Sequence, residues 1–206
     1  MFRFVIPTFC FVLIIVAGCK KSILEPDPVE PQGRVTLVKD LPADTANSGK
    51  FTFFSLRDSS VVSNSDSATT KWDLGFRSTT IIINGGASGP GQAGAIVITG
   101  TDFDTLSTAP ASGYATDSPT TRAIRGWYTY TGNSPTPPKH TVIPNPGTVI
   151  VLRTADGKYA KLEILSYYKG APNPIPYNAT TGTPTAPPRY YTFRYFYQPD
   201  GSRRLR

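Results

Sequence analysis

The sequence predicts an all-β protein, a two-sheet antiparallel β domain with long loops, and three observations carry that prediction. Short runs of β-branched and aromatic residues recur along the chain, separated by clusters of Gly, Pro, Asn and Asp. No stretch after Gly33 keeps the 3.6-residue apolar period that a packed helix needs. The 206 residues also combine 20 Pro and 18 Gly with 2 Trp, 11 Tyr and 11 Phe. Pro and Gly together stay below the roughly 25–30% that signals disorder, and the aromatic content is enough for a packed core. Many short strands punctuated by turns fit two packed sheets.

Residues 1–18 read as an address rather than as structure. Arg3 gives a short positive start, and Phe4 to Ala17 form a mostly apolar stretch, shorter than the roughly 20 residues of a membrane-spanning helix. The segment ends Val16-Ala17-Gly18-Cys19, which resembles a bacterial lipobox: an aliphatic residue, two small residues, then a cysteine that is acylated and becomes the new N-terminus. Of the 2 cysteines, Cys10 would leave with the signal, so the mature chain would hold Cys19 alone and no internal disulfide. Residues 19–33 then form a lipidated Cys and a spacer, because Pro26, Pro28 and Pro31 favour extended chain. Residues 34–206 are the β domain.

Within that domain the strand runs are Arg34–Leu41, Lys50–Arg57, Trp72–Arg77, Thr79–Ile83, Ala95–Thr99, Ala123–Thr131, Thr148–Thr154, Lys158–Tyr168 and Arg189–Gln198. Ala155-Asp156-Gly157 joins two of them as a hairpin turn, since Asp and Gly tolerate positive φ. Along the last run, Tyr191, Phe193, Tyr195 and Tyr197 share one face, while Tyr190, Thr192, Arg194 and Phe196 share the other. Three connections, Asn84–Gly94, Asp102–Thr121 and Gly170–Pro188, are long enough to be binding loops.

Composition and motifs exclude more chemistry than they offer. Lys and Arg number 21 against 14 Asp and Glu, a net charge of +7 without a dense basic run, so nucleic acid is not an expected partner. Gly89-Pro90-Gly91-Gln92-Ala93-Gly94 has the spacing of a dinucleotide fingerprint. It leads into a strand instead of a helix, and Pro90 removes an amide donor, so it reads as a glycine-rich turn. There is no phosphate-binding loop, no zinc-protease motif and no nucleophile elbow. The sole histidine, His140, has no matching nucleophile, and no pair of carboxylates stands out. No enzymatic activity is expected.

Several segments taken together resemble the HmuY family of haem-binding bacterial lipoproteins. They are Lys71-Trp72-Asp73-Leu74-Gly75-Phe76, the glycine loop after Ile83-Asn84, Gly126-Trp127-Tyr128-Thr129-Tyr130, and Val151 through Leu162 running on to Ser166-Tyr167-Tyr168-Lys169. Tyr190 through Gln198 and Asp200-Gly201-Ser202 complete the set. The resemblance implies a hand-shaped β domain, lipid-anchored at the outer membrane and exposed at the cell surface. It also implies that haem, or a related porphyrin, is held between loops and passed to a TonB-dependent outer-membrane receptor. Family members ligate the iron with two histidines, or with methionine in place of histidine. This chain departs from that pattern, since it has 1 His and its 1 Met is Met1. Haem iron also accepts a tyrosine oxygen. The candidate ligands are therefore His140, in the Pro-rich segment before Thr148, and Tyr177, in the Gly170–Pro188 loop. Lys139, Arg189 and Arg194 are candidates to pair with the propionates. The alternative is a surface lipoprotein of the same fold that binds a partner or ligand other than haem.

Overall fold

Alternation of side chains along each strand decides how this chain layers. The computed structural model describes residues 1–2 and 33–206, so the signal segment, Cys19 and all but the end of the spacer lie outside the described residues. Eleven strands follow in order: β1 (Arg34–Pro42), β2 (Thr52–Ser55), β3 (Ser60–Val62), β4 (Leu74–Arg77), β5 (Thr80–Ile83), β6 (Gly94–Thr99), β7 (Tyr128–Tyr130), β8 (Val142–Pro144), β9 (Thr148–Arg153), β10 (Tyr159–Tyr168) and β11 (Pro188–Gln198). They form a five-stranded sheet in the order β1-β11-β10-β9-β6, a four-stranded sheet β3-β2-β4-β5, and a separate ribbon β7-β8. Every strand pair is antiparallel. Among the described residues no helix is long and apolar enough to cross a membrane.

The two sheets bury their facing sides against each other. From β11, Tyr191, Phe193 and Tyr195 enter the main core with Leu162 of β10 and Ile150 and Leu152 of β9. They meet Phe54, Leu74, Phe76, Ile81 and Ile83 of the smaller sheet. Phe76 packs on Phe193 and Tyr191 with ring centroids 5.5 and 4.9 Å apart. The opposite face of the large sheet is also covered. Phe196, Val149 and Val151 pack beneath Phe103, Ala109 and Leu205, which come from the 102–121 loop and the C-terminus. The two faces expected for the last strand are therefore both real: one fills the main core, and the other carries Phe196 beneath the loop beside the ion-paired Arg194.

Lys161 shows how that second layer is fixed. It points from β10 into the covered face, where its ammonium donates to the carbonyls of Phe103 and Leu106 and lies 4.5 Å from the Phe103 ring. Burial pulls its pKa below the ordinary lysine value.

The Lys71-to-Phe76 segment works as a suture between sheets. Trp72 is fully buried against Phe53 and Ile82 on the far side of the small sheet. The Asp73 carboxylate accepts from the Leu56 N–H at 2.8 Å and from the Ala155 N–H in the β9–β10 turn at 3.0 Å. Gly75 lies where a Cβ would come within 2.8 Å of Ile82 Cγ1 and 3.2 Å of Phe53, so the close approach of β4 to its neighbours needs glycine.

Most expected strands form within a residue or two of their anticipated ends. The Lys50–Arg57 run shortens to β2, and the Ala123–Thr131 run yields strand only at Tyr128–Tyr130. Ala123 to Trp127 instead form a connection whose Ile124 and Trp127 fill the core. Strands β3 and β8 were not expected. The first is three residues long, and the second contains Pro144 and lies in a two-stranded ribbon, where a missing N–H is tolerated. The β9–β10 hairpin forms where expected, with Gly157 at φ 79°.

Candidate functional site

The β7–β8 ribbon is the part of the fold that is not absorbed into either sheet, and a groove opens beside it. Tyr128, Tyr130, His140 and Val142 of the ribbon and its loop form one wall. Tyr167 and Tyr168 from the end of β10 and Pro188 and Arg189 from the start of β11 form the other, and the β4–β5 turn, Ser78-Thr79, closes the end. The cavity measures about 400 Å³. It adjoins a hollow of about 520 Å³ that shares Thr79 and Tyr128 and adds Arg122, Arg125 and Trp127.

Local backbone geometry aims these residues. Adjacent residues on a regular strand face opposite ways, yet Tyr167 and Tyr168 both enter the main core. The cause is an irregularity in β10, whose pairing with β11 shifts register on both sides of Ser166. Such bulges re-aim side chains near functional sites. Ser78, His140 and Arg189 occupy the left-handed region, with φ of 49°, 51° and 67°. For non-glycine residues that conformation costs on the order of 1 kcal/mol each, and it clusters at sites that require a particular side-chain direction.

The polar groups of the groove form a connected set. Tyr130 Oη and His140 Nδ1 are 2.9 Å apart, across the open end of the ribbon beyond the Tyr130–Val142 pair. Tyr168 Oη accepts from the Val142 N–H at 3.1 Å and so ties the ribbon to the large sheet. Tyr167 Oη lies 3.3 Å from Ser78 Oγ, and Tyr191 donates to the Ser78 carbonyl at 2.8 Å. Trp127 packs at a tilt on Tyr128 and Tyr191, with ring centroids 4.6 and 5.4 Å away, and donates to the Thr79 carbonyl. Burial raises the pKa of Tyr167 and Tyr168 and lifts that of Tyr191 well above the phenol range, so these three hydroxyls stay protonated.

The sequence-selected residues separate into those at the groove and those away from it. His140 and Arg189 line it from opposite sides. The Arg189 guanidinium is braced by the Asp44 carbonyl at 3.0 Å and Asn47 Oδ1 at 3.1 Å. Lys139 stands next to His140, and its N–H donates to the Gly182 carbonyl at 2.7 Å, docking the 170–188 loop on the His140 loop. Tyr177 is on that docked loop, bridged to Pro184 and exposed, and is not among the residues lining the groove. Arg194 lies on the other face of β11, held at 2.6 Å by Glu163 and 3.0 Å by Asp104 above the Phe103 ring.

Sequence reasoning missed Tyr128, Tyr130, Tyr167, Tyr168 and Arg125 as site residues. Tyr128 and Tyr130 stand two apart on one strand and so share a face. That signal was readable, but its pairing with His140 was not, because β8 was not recognised.

The sequence matches the HmuY protein family over residues 47–186. Among solved structures, the apo HmuY analogue of Tannerella forsythia is similar at 13% identity, covering 81% of this chain and 96% of that one with a TM-score of 0.48. Apo PinO from Porphyromonas gingivitis is similar at 15% identity, covering 80% and 97%, with a TM-score of 0.48. No curated protein matches.

Proposed function

The chain belongs to the HmuY protein family, and on that premise we propose that it is a lipid-anchored surface protein that captures haem or a related tetrapyrrole. It holds this cargo in the groove beside the β7–β8 ribbon and releases it unchanged to a TonB-dependent outer-membrane receptor. The family is one of binding proteins, and the chemistry asked of this chain is recognition alone. Anchorage rests on Cys19 after residues 1–18 are removed, with acyl chains holding the protein at the outer membrane.

One observation carries the reading. The groove combines a wall of aromatic rings with two side chains able to coordinate haem iron, Tyr130 and His140, and a guanidinium, Arg189. Aromatic faces suit a flat macrocycle, and the guanidinium fork suits a propionate carboxylate. Arg125, exposed in the adjoining hollow, offers a second cation along the same surface.

The test is a haemin titration of the chain from residue 20 onward, which retains every described strand, followed by absorbance in both oxidation states. A saturable Soret shift that weakens on Tyr128→Ala and Arg189→Ala supports haem capture in this groove. No shift refutes it and leaves the same fold with another ligand. Palmitate incorporation in cells, lost on Cys19→Ala, tests the anchor.

A further inference from the structure

The groove beside the ribbon continues, past a waist at Thr79 and Tyr128, into the hollow lined by Arg122, Arg125 and Trp127. Their volumes, about 400 and 520 Å³, each fall within the roughly 300–1,000 Å³ of small-molecule sites. Cations stand on either side of the waist: Arg189 lines only the groove, and Arg122 and Arg125 line only the hollow. Among the described residues no Asp or Glu lines either one, and none of these three guanidiniums forms an ion pair. Thr79, Thr80, Thr120 and Thr121 add hydroxyl groups able to donate to the same anion.

We propose that groove and hollow together select tetrapyrroles with carboxylates on more than one edge, of the coproporphyrin type, over protoporphyrin, whose propionates share one edge. This rests on the haem-capture reading and deepens it by naming the substituents of the cargo. Protoporphyrin IX carries propionates on two neighbouring pyrroles and vinyl groups on the other two. Coproporphyrin III differs only in having propionates in place of those vinyls. When the propionate edge takes Arg189, the edge of protoporphyrin that reaches past the waist carries vinyl and methyl groups, which cannot pair with Arg122 and Arg125. The same edge of coproporphyrin carries carboxylates, to which guanidinium forks and threonine hydroxyls both donate. No bond of the cargo changes.

The fold holds the two cations of the hollow in place before any ligand arrives. Ile124 and Trp127 are buried in the main core and pin the segment that carries Arg122 and Arg125. Asp117 anchors its start, accepting from the Ala123 N–H at 2.8 Å and from the Ile83 N–H at 3.0 Å. Asn145 anchors its end, donating from its backbone N–H to the Trp127 carbonyl at 2.9 Å and from its side-chain amide to the Gly126 carbonyl at 3.0 Å. The Arg122 guanidinium donates to the Ser118 carbonyl at 2.8 Å and to Ser88 Oγ at 3.4 Å, both through Nη1, so Nε and Nη2 keep donors for a ligand. Arg125 is exposed at the rim. Such preorganisation lowers the ordering cost of binding.

The experiment titrates the chain from residue 20 onward with haemin and with iron(III) coproporphyrin III, read by the Soret band. The iron and its axial ligands are common to the pair and cancel in the ratio of affinities. Wild type should bind the coproporphyrin about tenfold more tightly, the scale of two partly exposed ion pairs. Arg125→Gln should cut that preference to about threefold, and the Arg122→Gln/Arg125→Gln double variant should abolish it. Arg194→Gln removes one positive charge from the far face and should keep the preference, which separates pairing in the hollow from the effect of net charge. The urea midpoint of Arg125→Gln should match wild type, since that side chain is exposed. Equal affinities in wild type, a preference that survives Arg125→Gln unchanged, or one that Arg194→Gln reduces as much, overturns the proposal while haem capture stands. If wild type gives no Soret shift with either compound, haem capture itself is refuted and this proposal with it.

Discussion

Asp73 makes the stability of this protein depend on pH in an unusual direction. Its carboxylate is buried between the sheets, accepting one hydrogen bond from the Leu56 N–H and one from the Ala155 N–H. Burial outweighs both bonds and pushes its pKa from 3.8 up to about 6. The folded state therefore binds its proton more tightly than the unfolded chain does. Between these two values the native state holds more protons, so stability falls as pH rises through the window. The full shift corresponds to about 3 kcal/mol. The perturbation that isolates it is Asp73→Asn, which has no charge to bury and contributes no slope. Other acids, among them Asp58 beside Arg57, titrate in the opposite sense, but they are common to both proteins and cancel in the difference. The assay is urea unfolding of both proteins at intervals between about pH 3.5 and about pH 7, with the linear extrapolation taken at each point. Wild-type stability minus variant stability should decrease by about 3 kcal/mol across that range. A difference that stays flat, or that grows as pH rises, would refute the view that desolvation dominates at Asp73.

The other expected outcomes concern packing, loop anchoring and cargo. Trp127→Ala removes a fully buried ring packed on Tyr128 and Tyr191 and should cost about 3–5 kcal/mol in urea unfolding. Gly75→Ala forces a methyl against Ile82 and Phe53 and should cost about 1–3 kcal/mol by the same measurement. Lys161→Met leaves the Phe103 and Leu106 carbonyls without their donor, so it should lower stability by about 2 kcal/mol and speed proteolysis within residues 102–121, while haemin affinity is unchanged. Arg189→Ala should weaken haemin binding about tenfold in the Soret titration, whereas Arg194→Ala, already satisfied by Glu163 and Asp104 on the far face, should leave it unaltered.

Legibility in the sequence followed the reach of the interactions involved. The strands of the large sheet could be read because each carries its own alternation. Tyr191, Phe193 and Tyr195 sit in the core with Arg194 and Phe196 turned away, as a period of two requires. The β9–β10 hairpin could be read from three residues of turn chemistry. The groove could not, since it depends on contacts between segments far apart in the chain. Tyr168 bonds Val142, and Tyr191 bonds Ser78 more than a hundred residues away. The irregularity at Ser166 that aims Tyr167 and Tyr168 arises from pairing with β11 and leaves no local mark. His140 and Arg189 were found because a lone histidine and a guanidinium before an aromatic strand are conspicuous by residue type. Tyr130 was not, since a tyrosine at a strand end looks like any other until its partner across the ribbon is known.

The groove divides into a buried floor that the fold depends on and exposed side chains that it does not. Trp127, Tyr191 and Tyr167 form the buried floor on which the groove rests, and removing any of them opens a hole in the main core. Tyr130 and His140 project from the ribbon beyond that floor and are exposed, so they add nothing to the core and can be exchanged at little cost in stability. The exposed side chains of the groove are thus ones whose replacement the fold does not resist, on a surface whose shape it holds firmly.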